Sequence, residues 1–133
     1  MDKELVSEWF RFADADIDTA LLLKDMRPQH YEIICYHCQQ AAEKYLKGFL
    51  ISKDQMPPRT HDLTDVCNLC LKYNNDFLDL LPQCSFLKRF AVQPRYPEEM
   101  HITSTDVAQA VKSILEIRDF AAIVKLRVDM AGA

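Results

Sequence analysis

Glycine is nearly missing from this sequence of 133 residues, which contains only Gly48 and Gly132. Glycine supplies the backbone conformations of tight β-turns and of loops that hold phosphate groups through backbone amides. Its scarcity therefore disfavours an all-β fold and a glycine-rich phosphate loop, and it favours a helical protein. The length fits one domain, which we place at residues 1–128, followed by a frayed tail at 129–133.

The sequence also lacks an excess of positive charge, since its formal net charge at pH 7 is −4. A protein that binds nucleic acid through its overall field is basic, so any nucleic-acid site here has to be local. No run approaches the roughly 18 apolar residues of a membrane span. The charged start, Asp2-Lys3-Glu4, does not have the pattern of a signal peptide, and five cysteines are an odd number. We therefore expect a cytoplasmic protein with reduced thiols and no membrane association.

Apolar residues recur at the spacing of amphipathic helices along most of the chain. Residues 91–102, which contain Pro94 and Pro97, interrupt the pattern and are predicted to be irregular. Long helices joined by short connections pack as antiparallel neighbours. We therefore predict an all-α fold, an up-and-down bundle of four or five helices. The predicted helices cover about residues 2–26, 31–53, 63–73, 77–90 and 103–127.

Local signals mark several of the predicted helix ends. Either Thr60 or Asp62 can cap the third helix, because both side chains accept hydrogen bonds from backbone amides. Pro82 either splits the fourth helical stretch or opens its second half. Thr103 and Asp106 have the spacing of a capping box before the last helix, with Asp in place of the usual Glu.

Several short segments resemble the HEPN family (higher eukaryotes and prokaryotes nucleotide-binding domain), and they occur in the family's order along nearly the whole chain. The most diagnostic is residues 36–47, YHCQQAAEKYLK, in the second helix. The resemblance implies a helical bundle of HEPN type that commonly dimerises. The remaining segments are Trp9 with Ala13, Asp16 and Ala20-Leu21-Leu22 in the first helix, Thr60-His61-Asp62-Leu63, and Arg95-Tyr96-Pro97.

The resemblance also implies an association with nucleotides or RNA. Many proteins of the family are similar to partners of small nucleotidyltransferases encoded beside them, as in toxin–antitoxin pairs. Some are ribonuclease toxins, and others are non-catalytic binding modules. We therefore expect a homodimeric, nucleotide- or RNA-associated binding module that works with a nucleotidyltransferase partner. The alternatives are a metal-independent endoribonuclease toxin and a helical scaffold with no ligand.

Polar side chains on one arc of the second helix are the first candidate site. Lysines, arginines and histidines can grip a phosphate, whereas the competing interpretation is a solvated helix face on which Glu43 partly neutralises Lys47. The predicted site for a nucleotide phosphate consists of Lys44, Lys47, Arg59, His61 and Arg95, with His37 and Gln40 as further contacts.

Arg95 and His101, with five residues between them, are the candidate catalytic pair of the ribonuclease alternative. Histidine can act as a general acid or base near neutral pH, and arginine can stabilise a pentavalent phosphate. Pro97 lies between the two and opposes a shared helix, and Tyr96 stands where active family members usually have a small polar residue. We therefore favour no catalytic residue, and Arg95 has the alternative role of closing a loop onto the bundle.

Two C-x-x-C pairs, Cys35 with Cys38 and Cys67 with Cys70, raise the alternative of a zinc site. Both pairs fall on apolar helical stripes, where cysteine packs as a small hydrophobe. We therefore predict buried free thiols, no metal and no cofactor.

Overall fold

Five α-helices and two short 3-10 helices make up the part of the chain that the structure describes. The computed structural model describes the backbone of residues 2–92 and 101–131, and the side chains of these residues up to 127. No strand occurs in these two ranges, so the predicted all-α bundle is confirmed. The α-helices are α1 (Lys3–Asp25), α2 (Tyr31–Ser52), α3 (Leu63–Leu71), α4 (Leu81–Leu87) and α5 (Ser104–Ala131), and the 3-10 helices are Asn75–Leu80 and Lys88–Phe90.

The helix starts follow from local side-chain hydrogen bonds. The Asp62 carboxylate caps α3 by accepting from the Thr64 amide at 2.9 Å, and the Thr60 hydroxyl accepts from the Asp62 amide at 3.1 Å. Before α5, the Thr103 amide donates to the Asp106 carboxylate at 3.0 Å, and the Asp106 amide donates to the Thr103 hydroxyl at 3.2 Å. Aspartate therefore completes the predicted capping box, which satisfies two amides that have no partner inside the helix.

Two helix boundaries refine the sequence-based expectation. Pro82 lies in the first turn of α4, so it opens this helix and does not split it. A proline is tolerated there because the first amides of a helix have no intrahelical acceptor. The last helix continues to Ala131, beyond its predicted end at about residue 127.

Helix α2 is the centre of the bundle and contacts α1, α3, α4 and α5. Helices α1 and α2 are antiparallel, because Trp9 lies near Gly48 and Asp16 contacts His37 and Lys44. A Cβ atom added to Gly48 would lie 3.0 Å from the Trp9 Cβ, so this glycine permits the close approach of the two helices. Almost every residue of α2 from Cys38 to Leu50 is consequently covered by another part of the chain.

Aromatic rings connect α2, the 3-10 helix Asn75–Leu80 and α5. The Phe77 ring lies 4.5 Å from Phe49 of α2 and 4.8 Å from Phe120 of α5, measured between ring centroids. All five cysteines are fully buried in α2, α3 and α4, as their place on apolar stripes predicted. No described helix is both long enough and apolar enough to cross a membrane.

Candidate functional site

The polar arc of α2 is not one solvated face. Gln39 is completely buried, and Glu43 and Lys47 are each only 7% exposed. The loop that leads into α3 folds back over this part of α2 and brings His61 onto Glu43. The expectation that Lys44 and Lys47 share an open strip is therefore wrong for Lys47, whose ammonium group is enclosed.

Asp16 of α1 joins two basic side chains of α2, and we call these three residues the Asp16 cluster. One carboxylate oxygen lies 2.9 Å from His37 Nδ1, and the other lies 2.5 Å from Lys44 Nζ. The Asp16 side chain is 12% exposed, whereas the His37 and Lys44 side chains are 24% and 29% exposed. The carboxylate therefore lies at the base of the cluster, and the two basic groups lie nearer to solvent.

The Glu43 cluster consists of Glu43, Lys47, His61 and Gln39, on α2 and the loop that follows. Glu43 Oε2 lies 3.3 Å from Lys47 Nζ, and Glu43 Oε1 lies 3.0 Å from His61 Nδ1. The Gln39 amide donates to Glu43 Oε1 at 3.3 Å and to the His61 carbonyl at 3.4 Å. The Lys47 ammonium group and, when it is protonated, the His61 ring therefore flank the Glu43 carboxylate, which is shielded from water.

The two clusters orient two imidazole rings in the same way. His37 and His61 each direct Nδ1 toward a carboxylate, and within the described residues neither Nε2 has a hydrogen-bond partner. A carboxylate at Nδ1 fixes the ring orientation and leaves Nε2 to meet a ligand. Gln40 lies between the clusters on α2, where its amide donates to the Gln39 side-chain oxygen at 2.8 Å. We call the partly exposed His37, Gln40 and Lys44 of α2, together with the exposed His61 of the loop that follows, the α2 strip.

Comparison with known proteins assigns the family. Residues 6–124 match the family model of the HEPN domain, which covers most of the chain. The chain belongs to the HEPN family. A crystal structure described as an archaeal HEPN homologue is similar over 90% of this chain and 97% of its own, with 23% identity and a TM-score of 0.69. TT1696 from Thermus thermophilus is similar over 88% of this chain and 95% of its own, with 22% identity and a TM-score of 0.69. A search of curated proteins found no match.

Arg59 and His101 form no hydrogen bond or ion pair with the α2 strip within the described residues. Arg59 is exposed in the loop before α3, and His101 is exposed just before α5 begins at Ser104. Arg95 lies outside the described residues, so its part in a phosphate site or in a pair with His101 stays a prediction.

The cysteines of the HEPN bundle are placed as structural residues. Burial raises the pKa of the Cys35 and Cys38 thiols to about 12, so both thiols are protonated at neutral pH. Within the described residues, no group of three or more histidine, cysteine, aspartate or glutamate side chains is arranged to hold a metal ion.

Three residues of the two clusters, Asp16, Gln39 and Glu43, were not among the predicted site residues, and Glu43 was expected only to neutralise Lys47 in part. Asp16 lies three residues after Ala13 and one before Ile17, on the apolar stripe of α1. A carboxylate on a buried helix face needs a hydrogen-bonding partner, so the position of Asp16 on the apolar stripe could have indicated that it contacts a polar group of another helix. Gln39 gave no comparable signal, because glutamine is common on exposed helix faces.

Proposed function

We propose that this HEPN domain is a nucleotide- or RNA-associated binding module and that the α2 strip contacts a phosphate group. The observation that carries the proposal is the pair of imidazoles anchored through Nδ1 to Asp16 and Glu43, together with the Lys44 ammonium group, which shares the Asp16 carboxylate with His37. Gln40 and Lys44 present hydrogen-bond donors from a rigid helix, which reduces the entropy lost when a ligand binds, and each imidazole Nε2 donates to a phosphate when its ring is protonated.

Charge balance explains why the proposed site is modest in strength. The two lysines of the clusters are matched by the carboxylates of Asp16 and Glu43, so the α2 strip has little net charge when both histidines are neutral. Lys44 has three N–H donors, and the contact to Asp16 leaves the others for a phosphate oxygen. Lys47 acts indirectly by holding Glu43 in place, and Arg59 adds an exposed cation in the loop before α3.

We expect a modest affinity, because the sequence has no glycine-rich loop whose backbone amides could hold a phosphate. A dissociation constant of about 100 μM with about 1 mM ligand stabilises a folded protein by about 1.4 kcal/mol. For a domain of this size, that corresponds to an increase in melting temperature of a few degrees.

A thermal-shift panel tests the phosphate site directly. ATP, GTP, their diphosphates, plain triphosphate and a short RNA oligonucleotide are added to the wild-type protein, to Lys44→Gln and to the control Lys112→Gln, which changes an exposed lysine of α5. We expect a shift in the wild type and the control and a much smaller one in Lys44→Gln. No shift with any ligand, or equal shifts in all three proteins, contradicts the proposal.

We further propose that the domain is a homodimer. The support is an apolar surplus on α1, where Leu5, Phe12 and Leu22 are 44%, 50% and 68% exposed. Leu5 and Phe12 are seven residues apart and so lie on the same face of α1, and a contiguous exposed apolar patch is typical of a surface that meets a partner. Light scattering at micromolar concentration should give about twice the chain mass of 15.4 kDa, and a monomer over that range contradicts the dimer.

The proposed nucleotidyltransferase partner rests on the family resemblance of residues 36–47. Its test is the reading frame beside the gene, followed by co-expression and co-purification of both products. A small nucleotidyltransferase that co-purifies in a fixed ratio is the expected result. A neighbouring nucleotidyltransferase that fails to bind contradicts the pairing and leaves the helical-scaffold alternative, without affecting the phosphate test.

A further inference from the structure

A groove of about 330 Å³ lies between α1 and α5, on the opposite side of α1 from the α2 strip. Asp14 contributes to this groove, whereas Asp16 contacts His37 and Lys44. Two residues along a helix correspond to a rotation of about 200°, so these two carboxylates leave α1 on opposite flanks. We call this space the α1/α5 groove, and it is separate from the proposed phosphate site.

Two aromatic rings form the floor of the α1/α5 groove. Phe10 of α1 and Tyr45 of α2 are nearly buried, and their ring centroids are 5.8 Å apart with an angle of 36° between the planes. Ala121 and Ala122 line the α5 side of the groove with small side chains. A flat apolar group therefore fits over this floor.

Two cations, Arg118 and Lys125, and one carboxylate, Asp14, line the groove. Arg118 and Lys125 are two helical turns apart on α5, and the Lys125 ammonium group lies 6.0 Å from the centroid of the Phe10 ring. The Asp14 carboxylate already accepts the Tyr45 hydroxyl. Arg118 has an acidic neighbour, Asp119, at 3.8 Å, but both side chains are well exposed and such a pair is weak.

We propose that the α1/α5 groove binds a small aromatic anion, such as an aryl carboxylate. The ring lies on the floor formed by Phe10 and Tyr45, and the anionic group pairs with Lys125 or Arg118 at the rim through a charge-assisted hydrogen bond. The volume is at the lower end of small-ligand pockets, which fits one ring system and its acidic group. A stable contact with a second copy of the chain would need a far larger surface than this groove provides.

The probe for the test is 1-naphthoate, titrated into the full chain by isothermal calorimetry or protein NMR. Lys125→Gln removes a rim charge, and Ala122→Leu fills the groove from an exposed position. Lys112→Gln and Ala108→Leu make the same changes at exposed positions of α5 outside the lining of the groove. We expect saturable binding that is about 3-fold weaker in Lys125→Gln, because an ion pair at a partly exposed rim is weak. Binding should be at least about 10-fold weaker in Ala122→Leu, whose side chain occupies the groove, and unchanged in both controls.

Three results overturn the proposal. The first is no saturable binding of 1-naphthoate up to roughly 5 mM, or equal binding in groove and control variants. The second is equal binding of the neutral analogue 1-naphthalenemethanol, which removes the role of the rim cations. The third is a change from dimer to monomer in Ala122→Leu, which would make a second copy the occupant. Because the α2 strip is not involved, failure here leaves the phosphate proposal unaffected, and the reverse also holds.

Discussion

Glu43→Gln is the substitution with the largest predicted effect on the clusters of α2. The new amide has nearly the same shape, but it no longer balances the Lys47 ammonium group, whose side chain is 8% exposed. Breaking a buried ion pair by removing one partner costs about 3–5 kcal/mol, because the other charge is left without a counter-charge. We expect a loss near the lower limit, about 3 kcal/mol, because the new amide oxygen still accepts one hydrogen bond.

The magnitude can be converted to a melting temperature. A chain of 133 residues has an unfolding entropy of about 0.28 kcal/mol/K, so a loss of about 3 kcal/mol lowers the melting temperature by about 10 °C. Urea unfolding of Glu43→Gln, Lys47→Met and the double variant gives the coupling energy between the two side chains. We expect the double variant to be clearly more stable than Glu43→Gln, because it removes the stranded charge.

The control for this series is Glu8→Gln, which removes an exposed carboxylate that pairs with Arg11 at 2.7 Å. An exposed pair contributes little to stability, so its urea midpoint should match that of the wild type. The buried-pair account of α2 is refuted if Glu43→Gln is as mild as Glu8→Gln, or if the double variant is no more stable than the single one.

Three further predictions concern packing, thiols and catalysis. Gly48→Ala should destabilise the fold by about 1 kcal/mol in urea unfolding, because the clash with the facing tryptophan Cβ outweighs the gain in helix propensity. Cys35 and Cys38 should resist iodoacetamide at pH 8 until the protein unfolds, and rapid labelling of the native protein contradicts this. Because the pKa values of both thiols are raised in the folded protein, their contribution to stability is complete below about pH 9 and decreases as the pH rises toward 12. Purified protein should not cleave RNA, and cleavage that Arg95→Ala or His101→Ala abolishes without unfolding the protein would establish the ribonuclease alternative.

The features predicted correctly from the sequence are those fixed by neighbouring residues. The capping box of Thr103 and Asp106 joins residues three apart, and the start of α3 at Asp62 depends on an equally local hydrogen bond. The buried cysteines likewise follow from helical periodicity alone. The last helix was predicted too short, because its apolar stripe ends at Val124, whereas the helix continues to Ala131.

The features that the sequence did not reveal depend on contacts between distant segments. Lys47 belongs by periodicity to a polar arc, yet the segment leading to His61 covers it, and His61 is 18 residues from Glu43 along the chain. Lys44 is separated from Asp16 by 28 positions, so helical spacing on α2 alone could not show that its ammonium group is already paired. The tertiary fold thus reduces the predicted basic strip to a smaller set of donors around two anchored imidazoles.

The central claim is that the α2 strip meets a phosphate, and imidazole nitrogen NMR tests it most directly. The chain has four histidines, so His37 and His61 are observed together with His30 and His101, which are exposed and lie outside both clusters. During titration with ATP or triphosphate, we predict saturable shifts of Nε2 in His37 and His61, small shifts in the other two, and loss of the response in Lys44→Gln. Shifts of equal size in all four rings, or none in His37 and His61, contradict the account.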